Sequence, residues 1–147
     1  MSEARAAVVA PGDGETVRNP VGGLITFKVR GEETAGALTV FESEIAPGDG
    51  PPLHVHATEA EVLYVLEGQM RFQVGDNVHP APPGALMYVP PGVPHCFQNA
   101  GDSPSRLLIV FNPSGMERFF GLTGGDPAVF REAAAQVGME VVGPPLR

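Results

Sequence analysis

The sequence predicts an all-β domain, an antiparallel double sheet or barrel with short C-terminal helices. Three observations predict it. Gly (19) and Pro (16) make up about a quarter of the 147 residues. That density interrupts long helices and suits short strands joined by tight turns. Short apolar runs recur at roughly even spacing from Gly23 to Phe111, with turn signals between them and no helical period. Hydrophobic residues at 43%, against 18% charged, provide for a core and exclude wholesale disorder.

Taken in order, residues 1–20 are Ala- and Gly-rich, weakly patterned, and read as an N-terminal arm. Residues 21–147 read as one domain. Leu24–Val29 is strand-like. Leu38–Ile45 ends in a clean alternation, with Phe41, Ser43 and Ile45 on one face and Glu42 and Glu44 on the other. After the turn A-P-G-D-G-P-P come Leu53–Ala57, a short loop and Glu61–Leu66. Glu67-Gly68 turns into Met70–Val74, and Gly75-Asp76-Asn77 is a hairpin signal. Pro82-Pro83-Gly84 and Pro90-Pro91-Gly92 flank Ala85–Val89. His95–Asn99 and Arg106–Phe111 follow, for about ten strands in all. Only the segment 115–138 changes character. Gly115–Gly121 and Pro127–Val137 read as short helices, the second with Asp126 as N-cap, Pro127 at its first position and Gly138 just past its end.

Charge narrows the function classes. The net charge is −8, from 17 acidic against 9 basic residues, and Lys28 is the sole lysine. Nucleic acid needs a basic footprint, and an anionic membrane surface needs one too, so neither is an expected partner. No apolar run reaches the length of a membrane span, and the start carries no basic and apolar leader pattern. The expectation is a soluble cytoplasmic protein. Cys96 is the one cysteine, which excludes an internal disulfide and a Cys-rich zinc site.

Three of the four histidines fall in two Gly-bounded blocks, G48-DGPPL-H54-V-H56-ATEA-E61-VLYVLE-G68 and G84-ALMYV-P90-P-G92-VP-H95-CFQ-N99. Residues i and i+2 of a strand share a face, so His54 and His56 point the same way. Glu61 opens the next strand, and His95 opens a distant one. Three imidazoles and a carboxylate form an N/O ligand set that suits a divalent first-row metal. A lone H-x-H is weak, and Glu61 alone would read as a solvated strand start; the joint pattern is what carries weight.

The two blocks resemble the paired motifs of the cupin superfamily, G-x5-H-x-H-x3–4-E-x6-G and G-x5-P-x-G-x2-H-x3-N, at every specified position over 48–68 and 84–99. The resemblance implies a jelly-roll β-barrel holding one divalent transition metal ion (Fe, Ni, Mn, Co, Cu or Zn). It implies His54, His56, Glu61 and His95 as ligands. Gly48, Gly68, Gly84, Pro90, Gly92 and Asn99 would be framework residues. It also implies a homodimer. Glu59 is the alternative carboxylate, but it lies closer to His56 than the family spacing allows. His79 lies outside both motifs and reads as a surface residue. Cys96 should face away from the metal as a buried thiol. Arg71 and Arg106 read as exposed salt-bridging residues, or as orienters of a substrate anion.

By strand parity Phe41, Leu63, Phe72 and Phe97 face inward, as plain core or as walls of an apolar substrate pocket. The run H-V-H…E-V-L-Y-V-L-E-G and the tail N-P-S-G-M-E-R-F-F-G look like bacterial quercetinase-like monocupins. That likeness implies a helix over the barrel mouth, with Met116, Phe119 and Phe120 as a lid or as core seal. Cupins of the oxalate-decarboxylase type carry Arg three residues before the first His, where this chain has Pro51. The resulting expectation is a metal-dependent dioxygenase on a small aromatic or enolisable molecule, with Glu61 as ligand, base or both. The alternatives are a non-enzymatic metal-dependent ligand-binding cupin and a cupin isomerase or cyclase.

Overall fold

Alternation along each apolar run dictates two faces, one for a core and one for solvent. The computed structural model, which describes residues 3–147, realises this in eleven strands. In chain order they are β1 (Thr16–Arg18), β2 (Leu24–Val29), β3 (Thr39–Ile45), β4 (Pro52–His56), β5 (Ala60–Glu67), β6 (Met70–Val74), β7 (Asn77–Ala81), β8 (Leu86–Val89), β9 (His95–Asn99), β10 (Ser105–Asn112) and β11 (Met139–Pro145). Helices α1 (Met116–Thr123) and α2 (Phe130–Gln136) separate β10 from β11. One sheet runs β1-β2-β3-β10-β5-β8 and the other β11-β4-β9-β6-β7, with antiparallel neighbours. This is the expected jelly roll.

The inward residues of both sheets fill one core. Phe41, Leu63, Val65, Met70, Phe72, Phe97, Leu107, Ile109 and Phe111 are all buried in it. Aromatic rings run through it in series: Phe27 against Phe41, Phe41 stacked on Phe111, and Phe120 edge-on to both Phe27 and Phe41. Asn99 closes the far end, donating from Nδ2 to the Ile45 and Ser103 carbonyls and accepting from Gly101 N–H.

Three strands differ from the sequence expectation, and each is a sheet edge. β1 lies inside the stretch read as an arm and pairs with β2. β7 completes the hairpin after Gly75-Asp76, and β11 follows α2. Edge strands accept proline and polar residues because one row of their backbone groups goes unpaired. Pro80 in β7 and Pro144-Pro145 in β11 use that freedom, and the alternation signal is lost with it. The helices also differ in detail. α1 continues to Thr123, where Gly124 adopts the left-handed conformation (φ 55°) and ends it. The segment read as one helix from Pro127 is a 3₁₀ turn, Pro127–Val129, followed by α2. Asp126 does cap it, accepting from Ala128 N–H at 2.9 Å.

Helix α1 is held to the barrel by one carboxylate. Glu117 accepts from Gly31 N–H (2.7 Å), Thr39 Oγ1–H (2.5 Å) and Gly115 N–H (2.9 Å). Burial pushes its pKa up, but these donors outweigh burial and the net shift is downward. A depressed folded-state pKa stabilises the fold above the ordinary carboxylate range, and that contribution fades as pH falls through the folded value. Glu117→Ala takes the acceptor from Gly31 N–H and Thr39 Oγ1–H, while Gly115 N–H keeps Thr39 Oγ1 at 3.2 Å, and is expected to cost about 2 kcal/mol in chemical denaturation at pH 7. The gap between variant and wild type should narrow below pH 4; a gap unchanged down to pH 3 would contradict the assignment.

Candidate metal centre

The metal-motif residues converge because register makes them converge. His54 on β4 lies directly opposite His95 on β9. His56, two residues on, shares the face of His54, and β11 flanks both through Val141 and Met139. Glu61 comes from β5 in the facing sheet, between Phe111 on β10 and Val89 on β8. The turn before β9 is tied to β4 by Gly92 N–H donating to the His56 carbonyl at 2.8 Å. Gly92 takes φ 82°, a left-handed conformation that side chains oppose.

All four side chains are buried, and their ligand atoms lie within 4.8 Å of one another. Glu61 Oε1 is 2.8 Å from His95 Nε2 and 3.4 Å from His56 Nε2. Atoms sharing one ion at about 2.0–2.2 Å stand roughly 3–4 Å apart, so the cluster is close to the size a transition metal needs. The tautomers suit this. His54 Nδ1–H donates to the Pro52 carbonyl (2.7 Å) and His95 Nδ1–H to the Val93 carbonyl (2.9 Å), which turns each Nε2 toward the centre. His56 has neither ring nitrogen hydrogen-bonded although both are buried. An orphaned imidazole at the centre of such a cluster fits an ion ligand.

Electrostatics agree. Burial, reinforced by the neighbouring His95 and His56, lowers the His54 pKa to about 3, so it is a neutral donor at pH 7. Burial opposes ionisation of Glu61, but the hydrogen bond from His95 Nε2 and the nearby His56 ring, 3.4 Å away, outweigh it and shift the carboxyl downward. His95 is pushed down by burial and more than restored by Glu61, for a net upward shift. Without an ion, a proton between His95 and Glu61 occupies the place a dication would take.

The centre opens onto a cavity enclosing about 50 Å³. His54, His56 and Glu61 form its polar wall; Phe41, Phe97, Ile109, Phe111, Met116, Phe119, Phe120 and Phe130 form most of the rest. Of the expected pocket residues, Phe41, Phe97, Met116, Phe119 and Phe120 line it, and Leu63 and Phe72 do not. Leu63 lies two residues beyond Glu61 along β5, sealed between Met87 and Ile109. Phe72 pairs with Phe97 and His79 in register and borders a separate cleft between β7 and β8. Parity put both inside correctly, but parity carries no depth along the barrel. Sequence reading missed Phe111 and Ile109, which the alternation of β10 marks, and Ser43, which it placed inward without a role. No Lys or Arg lines the cavity among the described residues.

The other candidates fall away from the centre. His79 is exposed. Glu59, the alternative carboxylate, is buried and bonded to Thr58 Oγ1–H at 2.6 Å, outside the cluster. Cys96 faces the opposite side of β9, where its thiol, pushed up by burial, meets Gln73. Arg106 pairs with Glu42 and Glu67 at the surface. Among the described residues Arg71 forms no ion pair with a side chain and instead donates to Gln98 and the Arg147 carbonyl.

The Cupin domain family matches residues 41–111. Protein SchB of Streptomyces halstedii is 30% identical over 115 residues, covering 77% of this chain and 82% of that protein. The chain spans less than half of the plant germin-like proteins that also match. Among solved structures, a predicted oxalate decarboxylase from Thermotoga maritima aligns with a TM-score of 0.66 at 23% identity, over 73% of this chain and 99% of that one. A sugar phosphate isomerase of the cupin superfamily from Silicibacter pomeroyi aligns with a TM-score of 0.60 at 21% identity, over 72% and 75%. At such identity the two structures share the fold.

Metal content follows from the cluster. His54→Ala and His95→Ala are expected to lose most bound transition metal by mass spectrometry, whereas His79→Ala retains it. Metal lost in His79→Ala, or kept in both other variants, would overturn the ligand set.

Proposed function

Because the chain belongs to the cupin superfamily, we propose that it is a metal-dependent dioxygenase acting on a small enolisable molecule. The observation that carries this is the placement of an ionised, buried carboxylate, Glu61, beside three imidazoles at the wall of an apolar cavity. A bound divalent transition metal would supply Lewis acidity toward an enolate oxygen and a partner for O2.

The chain's own residues do the remaining work. Glu61 accepts the proton that leaves the enol or the acidified α-carbon, and the negative charge left on the substrate oxygen is what a dication held by His54, His56 and His95 would offset. Phe41, Phe97, Phe111, Phe119 and Phe120 exclude bulk water and hold a flat apolar body. One C–C bond of the substrate breaks and both oxygen atoms of O2 end in the products. The size of the cavity favours a short substrate over a three-ring flavonol, because about 50 Å³ holds only a few water-sized groups. A flavonol would have to displace Met116, Phe119, Phe120 or Phe130. An outer groove of about 350 Å³ adjoins through Val21 and Phe130 and can take a substituent. The lack of a lining cation argues against oxalate and against a sugar phosphate as substrate.

Pairing of two chains belongs to the same proposal. Tyr64, Leu66, Leu86 and Tyr88 are exposed on neighbouring strands β5 and β8, with Val62, Leu108 and Val110 beside them. A contiguous apolar sheet face of this kind suits a homodimer. Light scattering at micromolar concentration should return two chains; a mass of one chain contradicts the pairing.

Glu61→Gln tests the chemistry. It should keep appreciable metal through His54, His56 and His95, and lose on the order of 10²–10⁴ in turnover, the usual contribution of a positioned base. O2 uptake with pentane-2,4-dione and small phenolic enols, across Fe, Ni, Mn and Co, is the measurement. Normal turnover in Glu61→Gln removes its role as base. Binding without O2 uptake by any loaded form replaces the dioxygenase with a ligand-binding cupin, and product without O2 uptake replaces it with an isomerase or cyclase.

A further inference from the structure

Among the described residues, the buried side-chain atoms without a hydrogen-bond partner are His56 Nδ1 and Nε2, Ser105 Oγ and Ser43 Oγ. The His56 nitrogens belong to the metal centre. Ser105 sits against Gly68, where a Cβ on the glycine would meet its side chain, and does not line the cavity. Ser43 is different. It is fully buried on β3, between Ile25 and Leu107 in register, and its side chain lines the same cavity as His54, His56 and Glu61. It stands in the sheet facing the three histidines, among Phe41, Phe97 and Ile109.

A buried hydroxyl without a partner destabilises the protein that carries it, and an alanine of nearly the same shape would not. Strand alternation demands only an inward side chain at this position; Phe41 and Ile45 on either side are apolar. A hydroxyl there gains a partner when a ligand brings one into the cavity. Among the described residues, Ser43 and Asn19 are the polar side chains that line the cavity apart from the metal-motif residues; Asn19 precedes β2, outside the sheets, with its Oδ1 bonded to Val21 N–H, whereas Ser43 stands within the barrel wall.

We propose that Ser43 is the specificity-determining residue of the cavity, hydrogen-bonding a substrate oxygen beyond the enol pair while the enol end faces Glu61 and the histidines. The substrate class is therefore a short, largely apolar enolisable molecule with a further carbonyl or hydroxyl beyond the enol pair. This deepens the reading of the cavity as a substrate site and rests on it. It involves no bond-making by Ser43, which positions the ligand and exchanges no proton with it.

The test compares two ligands of equal chain length, heptane-2,4-dione and heptane-2,4,6-trione, binding to zinc-loaded protein under nitrogen by calorimetry. Wild type is expected to favour the trione about tenfold, the discrimination of roughly one added hydrogen bond. Ser43→Ala should erase that preference while leaving zinc content and affinity for the dione within about twofold. The same variant without ligand should melt higher than wild type by about 2–4 °C, because an orphaned polar group has been removed. Equal binding of both ligands by wild type, or a preference that survives in Ser43→Ala, overturns the proposal. A lower melting temperature in Ser43→Ala also overturns it, since the hydroxyl would then serve the fold. Because no turnover is required, failure of the O2-uptake test leaves this result readable. Absence of binding by either ligand defeats both readings.

Discussion

Placing a carboxylate and three imidazoles inside an apolar barrel is costly, because each loses water that the barrel does not replace. Much of the architecture near the centre compensates for that loss. His54 and His95 face each other across one strand pair and lend their outer nitrogens to the backbone carbonyls of Pro52 and Val93. Glu61 reaches in from the opposite sheet and is hydrogen-bonded to His95 Nε2 at 2.8 Å. What remains unsatisfied, chiefly His56, points to the ion as the missing partner. The cluster is thus specified by strand register rather than by a flexible loop, which limits how far its geometry can drift.

The aromatic lining turns that cluster into a selective chamber. Phe111 pairs with Glu61 in register, stacks on Phe41 and meets the His56 ring edge-on, so the hydrophobic core and the ligand set share one wall. α1 adds Met116, Phe119 and Phe120, and Glu117 anchors it through Gly31 and Thr39. The helix therefore links barrel stability to cavity shape. In the proposed reading, chamber volume, apolar walls and the Ser43 hydroxyl would restrict substrates by size and by the placement of one oxygen, and among the described residues no cation lines the chamber to recruit a phosphate or a dicarboxylate.

The central strands and the ligand set were legible because both rest on short-range rules. Period-two alternation gave Leu24–Val29, Met70–Val74 and His95–Asn99 to the residue, and the Gly-bounded spacing singled out His54, His56, Glu61 and His95. The Gly75-Asp76 hairpin signal announced β7, whereas the edge strands β1 and β11 were hidden by the short length, proline and polar residues that edges tolerate. Cavity depth was illegible for a different reason. Leu63 and Phe72 obey the same parity as Glu61 and Phe97, but distance along the barrel is set by how the two sheets face each other. Glu61 shows what the joint pattern adds, since alone it reads as a solvated strand start and tertiary packing buries it at 4% exposure.

X-ray absorption at the metal edge of zinc- or nickel-loaded protein tests the central claim most directly. Three imidazole nitrogens and one carboxylate oxygen in the first shell, at about 2.0–2.2 Å, are the predicted result. Fewer than three imidazoles, or a sulfur neighbour near ~2.3 Å from Cys96, would contradict it.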